Sequence, residues 1–411
     1  MTSSQPLLAR AAFCCAFGSA VSILFSIAVS QILLGLALAA LLLSGARLRL
    51  PPIWIPLALF LLGTLIALAL ADHPAAGLKQ VRKFYVFLML PVVFSTIRDR
   101  AALRWLFLAW SAAGAASAAW GIVQFGQKIR QAHALGMNFY SYYTSERITG
   151  AMSHWMTFGG EEMFVLLMLG AFILFGPERK LRRIWPWLVC AALLIIALLL
   201  GETRSIWLAT VTAGLYLIWA WKRPLVILIP VVLALVVFFG PASVRERAVS
   251  FLRPRKNIDS NEFRVVTWRT GLRMIEKHPW FGIGPDGPQI EFNDYVPGDI
   301  QRPLPTGYYG HLHNIYLQYA AERGIPTMLV MVWVLIQALV DFTRGIRKLP
   351  PGPGDERFIL RGATAVVLAT MVGGFFEHNL GDSEVLTMFL VAIACGYAAL
   401  DLAARKGAAV A

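Results

Sequence analysis

Apolar residues come in repeated blocks of about 17 to 22, the length that crosses a bilayer as helix, separated by short polar connections in which the charges collect. The blocks predict twelve helical spans. They run over 11–28, 31–46, 53–71, 84–97, 104–125, 157–175, 184–200, 204–221, 224–240, 314–342, 358–377 and 384–403. The apolar stretch after Arg10 continues to about Leu43, too long for a cleaved signal peptide, and reads as two spans divided near Ser30 and Gln31. The expected fold class is therefore an all-α polytopic membrane protein, one transmembrane domain over 1–411. Two connections exceed simple turns: a smaller loop over 126–156 and a large, partly helical one over 241–313.

Composition agrees with that pattern, since 58% of the 411 residues are hydrophobic and 15% charged. With both termini on the cytoplasmic side, the inner connections hold Arg47, Arg49, Arg98, Arg100, Arg179–Arg183 and Arg344–Arg361, more than twice the basic residues of the short outer ones. That puts both long loops outside. The net charge is +14, and ten basic residues lie between Arg245 and Arg302, in a connection long enough to escape the charge rule. Their density calls for an anionic ligand or anionic lipid headgroups, not nucleic acid. Cys14, Cys15, Cys190 and Cys395 sit inside apolar blocks and read as small hydrophobes.

The stretch with most chemistry is GYYGHLHNIYLQYAAERGIP, residues 307–326, where a polar loop turns into an apolar helix. His313 and Asn314 open that helix. The helix dipole disfavours the imidazolium there, leaving a ring able to accept a proton; the alternative is an imidazole held by interfacial hydrogen bonds. Asn314, Gln318 and Glu322 continue as a polar seam at four-residue steps, which lines a cavity or a helix contact. His311 and His313 are two possible metal ligands, but no third falls at a characteristic spacing, so no metal site is read. In the large loop, Asn261 can cap a helix to about Lys277, ended by His278-Pro279. On it Arg269, Arg273 and Lys277 form a solvated stripe, whereas Arg264 shares the packed face with Trp268 and Gly271 and needs an anionic partner, with Glu262 or Asp286 as structural candidates. Arg204, Arg147 and Lys83 are each placed at the outer boundary. They either snorkel to the interface or converge on a pyrophosphate. FGIGPDG, 281–287, reads as a turn rather than a phosphate loop. Glu377, His378 and Asp382 share a short outer turn; its acids read first as helix caps, with Asp382 placed to cap the last span, and binding an acceptor or holding the arginines in place are the alternatives.

The order of HNIYLQYAAERGIP, FRVVTWRTGLRMIEKHPWFGIG, TRSIWLA and RITGAMSH along a twelve-span chain resembles the O-antigen ligase and polymerase superfamily of bacterial inner-membrane proteins. That resemblance implies a GT-C-like membrane glycosyltransferase working on the periplasmic side without metal or other cofactor. The implied donor is a glycan on undecaprenyl pyrophosphate, and the implied acceptor a sugar hydroxyl of the lipid A core. It gives Arg204 and Arg264 the stabilisation of pyrophosphate and His313 the role of base. Arg147 and Lys83 are expected donor contacts, with His311, Asn314 and Gln318 beside them. The turn FFEHNLGDSE and the single dominant loop look more like ligases than polymerases. A polymerase, a periplasmic protein O-oligosaccharyltransferase and, outside this class, a secondary transporter are the alternatives.

Overall fold

The computed structural model describes residues 5–253 and 261–410; part of the large loop expected over 241–313 thus lies outside the described residues. The helices in chain order are α1 (Gln5–Ser22), α2 (Ile27–Leu43), α3 (Trp54–Ala69), α4 (Pro74–Arg82), α5 (Phe84–Phe87), α6 (Met89–Thr96) and α7 (Arg100–Ala134). They continue with α8 (Phe139–Tyr143), α9 (Trp155–Phe175), α10 (Leu181–Leu200), α11 (Arg204–Trp221), α12 (Ile229–Phe239) and α13 (Ala242–Val249). The last are α14 (Asn261–Lys277), α15 (Gly287–Ile290), α16 (Phe292–Tyr295), α17 (Ile315–Lys348), α18 (Asp355–Gly373) and α19 (Ser383–Val410). Among the described residues no strand is present.

Among the described residues five helices are long and apolar enough to cross a membrane: α7, α9, α10, α17 and α19, the last over Ser383–Lys406. The protein is thus a multi-pass membrane protein. Shorter apolar helices lie at Leu7–Ser22, Ile27–Leu43, Trp54–Ala69 and Arg223–Phe239. Several of the twelve expected spans are not single α-helices: the one at 11–28 contains the turn between α1 and α2, which falls before Ser30 and Gln31, and the one at 314–342 is interrupted at Gly324. The block at 84–97 breaks at Leu88 into α5 and α6, and α6 is almost wholly buried. The block at 224–240 begins as a 3-10 turn over Arg223–Leu228 and continues as the eleven-residue α12, whose described side chains are largely exposed. Hydropathy alone cannot separate these cases, because a short buried helix and a lipid-facing one are equally apolar.

α9 and α19 are apolar on nearly every side and form the centre of the bundle, with most residues from Val385 to Ala399 buried. Small residues let neighbours close on each other: Ala16 and Ala20 of α1 are fully buried, and Ser19 of α1 pairs with Ser30 of α2 at 3.3 Å between hydroxyls. At one end of the bundle, salt bridges tie α7 to α18, Arg104 with Asp355 at 3.0 Å and Arg100 with Glu356. Chain direction then brings the N-termini of α9, α11, α17 and α19 together at the opposite end, where the long connections lie.

α17 is interrupted at Gly324, with φ 80° and ψ 161°. The interruption frees backbone groups that bond the 279–286 connection: Ile325 N donates to Pro279 O at 2.8 Å, and Ile283 N and Gly284 N donate to Ala321 O and Glu322 O at 2.8 and 3.0 Å. FGIGPDG is thus a brace built onto a broken helix. Beside the break Arg323 is buried, pairing with Glu322, donating from Nε to Thr64 Oγ1 at 3.0 Å, and lying over Tyr319. A Cβ at 324 would meet Trp280 O at 2.0 Å in a conformation only glycine adopts readily. Gly324→Ala is accordingly expected to cost about 2 kcal/mol or more, read as a lowered unfolding midpoint in detergent, while Gly214→Ala, with open space around it, should leave the midpoint unchanged.

Candidate functional site

A cavity of about 1020 Å³ opens at the loop-bearing end of the bundle. Its walls come from α4, the 141–156 connection, the starts of α11 and α14, the 305–313 loop, the first turns of α17 and the 377–382 turn. Of the eight residues expected to act in catalysis or substrate binding, seven line it: Lys83, Arg147, Arg204, Arg264, His311, His313 and Gln318. Asn314 does not. Its side-chain oxygen instead accepts from Tyr316 N and Leu317 N at 2.9 and 3.0 Å, capping α17, and its Nδ2 donates to Phe375 O at 3.1 Å. The helix start consumed the side chain that the seam pattern had offered to a ligand.

One carboxylate organises the histidine side of this cavity. Glu377, between α18 and α19, accepts from Arg264 Nη2 with Oε1, and its Oε2 lies 3.3 Å from His313 Nδ1. It is the anionic partner that the packed face of α14 required, in place of Glu262 or Asp286. Burial would raise the Glu377 carboxyl, but Arg264 and then His313 outweigh it and hold it down at about 2. The other ring nitrogen of His313, Nε2, lies 3.1 Å from Tyr308 O. Both nitrogens of this ring therefore face oxygen acceptors, and a neutral ring with one N–H satisfies one of them. His311 stands behind it, its Nδ1 accepting from His313 N at 3.2 Å; burial, then the His313 ring, push it down to about 3. His378, half-buried nearby with its ring 5.8 Å from His311, is likewise pushed well down by desolvation.

The other cations arrive from separate elements. Arg204, first residue of α11, donates from Nη1 to Ser250 O at 2.9 Å and from Nη2 to Asn261 Oδ1 at 2.6 Å. Asn261, expected to cap α14, is thereby tied to α11. Arg147 lies over the Trp155 ring at 5.6 Å and reaches Thr203 Oγ1 at 3.5 Å. Lys83 Nζ donates to Gly381 O, and Gln318 bridges Leu312 N and Glu322 Oε1 at 2.7 and 2.9 Å. Asp382, expected to cap α19, accepts from Thr157 Oγ1 at 3.0 Å, and burial raises its carboxyl. The stripe on α14 faces out, Arg269 pairing with the exposed Asp299 at 2.8 Å. Arg247 of α13 also lines the cavity, although no local pattern separates it from the other basic residues of its loop.

Strain collects at the same end. Among the described residues the non-glycine positions with positive φ are Glu202 (48°), Asp286 (61°) and His313 (49°); two of these line the cavity and the third adjoins Thr203, which does. Such conformations cost about 1–3 kcal/mol each and persist where surrounding contacts fix them. Among the described residues no group of three or more His, Cys, Asp or Glu is placed to hold a metal ion. The cavity combines several fixed cations, an imidazole set against a carboxylate, and four converging helix N-termini, an electrostatic surrounding suited to a negatively charged ligand.

Residues 188–332, from α10 through the first half of α17, match a family model described as O-Antigen ligase. A protein of Haemophilus influenzae described as uncharacterized is 28% identical over 98 residues, 24% of each chain, so the match spans about a quarter of that relative's length.

Removing one partner of the central pair is the direct test of its cost. Arg264→Ala leaves Glu377 buried beside His313 alone and is expected to destabilise by about 3 kcal/mol, whereas adding Glu377→Gln should recover most of the loss in thermal unfolding. Because the Glu377 carboxyl is depressed, its stabilisation is present above about pH 4.5 and fades as pH falls toward 2. The double variant should lose that acid-side dependence.

Proposed function

We propose, on the premise that the chain belongs to the O-antigen ligase superfamily through residues 188–332, that it transfers a glycan from undecaprenyl pyrophosphate to a sugar hydroxyl of the lipid A core. The reaction takes place on the periplasmic face of the inner membrane, with inversion at the anomeric carbon. The observation that carries this reading is the convergence of Arg147, Arg204 and Arg264 with His313 on one cavity from four separate segments.

The residues divide the work by position. Arg204, Arg147 and Lys83 bind the diphosphate, aided by the N-terminal ends of α9 and α11, and neutralise the charge that grows on it as the glycosidic C–O bond breaks. A diphosphate carries that charge well, so fixed guanidinium groups suffice to stabilise the departing group. His313 takes the proton from the incoming hydroxyl through Nε2, once that hydroxyl displaces the Tyr308 carbonyl. Glu377 accepts from the Nδ1–H, fixing ring orientation and tautomer and stabilising the imidazolium as it forms. Arg264 holds Glu377 in place and extends the positive field to the reaction centre. His311, held neutral by its burial, supports the His313 main chain without adding charge.

The test is an incubation of purified protein with undecaprenyl-pyrophosphate glycan and rough lipopolysaccharide, with and without chelator. Product on the lipopolysaccharide is expected in both. Longer lipid-linked chains would make the protein a polymerase, and no product with either acceptor would remove the enzymatic reading. His313→Ala should lower single-turnover transfer roughly 10²- to 10⁴-fold with donor binding retained. Arg204→Ala should instead weaken donor binding and transfer together, measured by donor titration.

A further inference from the structure

Asp286 lines the cavity without a cation of its own. Glu377 takes Arg264, and among the described residues Asp286 makes no ion pair; its Oδ1 accepts from Gln80 Nε2 at 2.6 Å, and its Oδ2 has no hydrogen-bond partner. The usual work of an aspartate at this position is not done either. Asp286 stands at the N-cap of α15, with a left-handed backbone at φ 61°, yet its side chain makes no capping bond. Because a carboxylate only accepts, the Gln80 amide turns its Nε2 toward Asp286, which leaves Gln80 Oε1 as an acceptor and one N–H as a donor. Gln80 lines the cavity too. The pair is held from both sides. Gly77, one turn before Gln80 on α4, lets that helix approach the 279–286 connection so closely that a Cβ there would meet Pro285 O at 2.9 Å. On the other side, Asp286 N and Gln318 Nε2 both donate to Glu322 Oε1, at 3.1 and 2.9 Å, and Gln318 Oε1 accepts from Leu312 N at 2.7 Å. An unbroken series of hydrogen bonds thus joins Gln80 and Asp286 to the residue before His313. Within it Arg323 neutralises Glu322 through Oε2, whereas the charge of Asp286 stays unbalanced.

We propose that Asp286 and Gln80 bind neighbouring hydroxyls of the sugar attached directly to the diphosphate. This rests on the reading of the cavity as a diphosphate-glycan site, and it gives that sugar a place which the reading leaves open. A carboxylate without a cation repels phosphate, so Asp286 does not serve the diphosphate itself. Sugar hydroxyls are neutral and donate, and their bonds to a carboxylate are charge-assisted. The Gln80 amide adds an acceptor and a donor beside the free Oδ2, which matches adjacent hydroxyls that each donate and accept. Position selects the donor sugar. Gln80 and Lys83 lie one helical turn apart, where side chains are neighbours, and both line the cavity. With Lys83 on the diphosphate, the next group along the donor is its first sugar. The hydrogen-bond series through Glu322 and Gln318 then fixes this sugar against the loop that carries His313, the base of the reaction. A tie between α4 and the 279–286 connection alone would use Asp286 Oδ1 and leave Oδ2 without purpose.

The experiment titrates a short-chain polyprenyl diphosphate, with and without its glycan, into wild type, Asp286→Asn and Gln80→Leu. Asparagine adopts a left-handed backbone readily and still accepts from Gln80, so this variant keeps the turn while it removes the charge and the free carboxylate oxygen. For each ligand the ratio of variant to wild-type affinity is read. Asp286→Asn should bind the glycosylated form about tenfold more weakly. Its affinity for the bare diphosphate should hold or rise, because a negative charge has been taken from the cavity. Gln80→Leu should weaken the glycosylated form alone. The KM for rough lipopolysaccharide at saturating donor should not move in Asp286→Asn, and a loss confined to that arm overturns the proposal by giving the carboxylate to the acceptor. Equal weakening of both diphosphate ligands, the mark of a purely structural tie, overturns it as well. Unchanged affinity for the glycosylated form does the same and leaves the diphosphate reading intact. If neither ligand binds wild type, the diphosphate reading falls and this proposal with it.

Discussion

A single buried carboxylate, shared between a guanidinium and an imidazole, ties the two halves of the site together. Glu377 comes from the turn between α18 and α19, Arg264 from α14 in the long connection, and His313 from the loop entering α17. Without the carboxylate, the arginine would bring an unpaired charge onto a packed face and the imidazole ring would lose its fixed orientation. With it, three segments separated by 49 to 113 residues are drawn to one wall of a cavity that would otherwise be a gap between loops. Its charge persists because Arg264 and His313 outweigh the burial that opposes it.

The bundle serves this arrangement by deciding which ends meet. Four helix N-termini converge where the cations and the histidine lie, so the backbone itself favours an anion there. The break at Gly324 is the second structural device. It releases backbone groups of α17 to hold the 279–286 connection, and Glu322, just before it, accepts from Asp286 N at 3.1 Å. Rigid spans thereby impose order on connections that would otherwise be free to move.

Much of this was legible in the chain, and the parts that were not have a common cause. Periodicity gave the apolar blocks and the helix from Asn261 to Lys277, because both depend on residues three or four apart. The same reasoning placed Arg264 on a packed face and His313 at a helix start. It offered the acids of the 377–382 turn as holders of the arginines but could not pair Glu377 with Arg264, since a contact 113 residues away leaves no local signature. Asn314 shows a local demand at work: it shares a polar seam with Gln318 and Glu322, but its side chain caps α17. Arg247 was hidden among the other basic residues of its loop. Glu202 left no signal, because a left-handed φ at a residue following glycine is invisible in sequence. The break in the block at 84–97 was equally silent, as α5 and α6 remain apolar on both sides of Leu88.

The central claim is that the diphosphate of a lipid-linked glycan sits among Arg147, Arg204 and Lys83 with its sugar turned toward His313. A cryo-electron microscopy structure with a polyprenyl diphosphate glycan bound tests it most directly. The account predicts phosphate oxygens within hydrogen-bond reach of Arg204 and Arg147, and the anomeric carbon on the side of the cavity that carries His313 and Glu377. Density for the diphosphate outside this cavity, or a glycan directed away from His313, would contradict it.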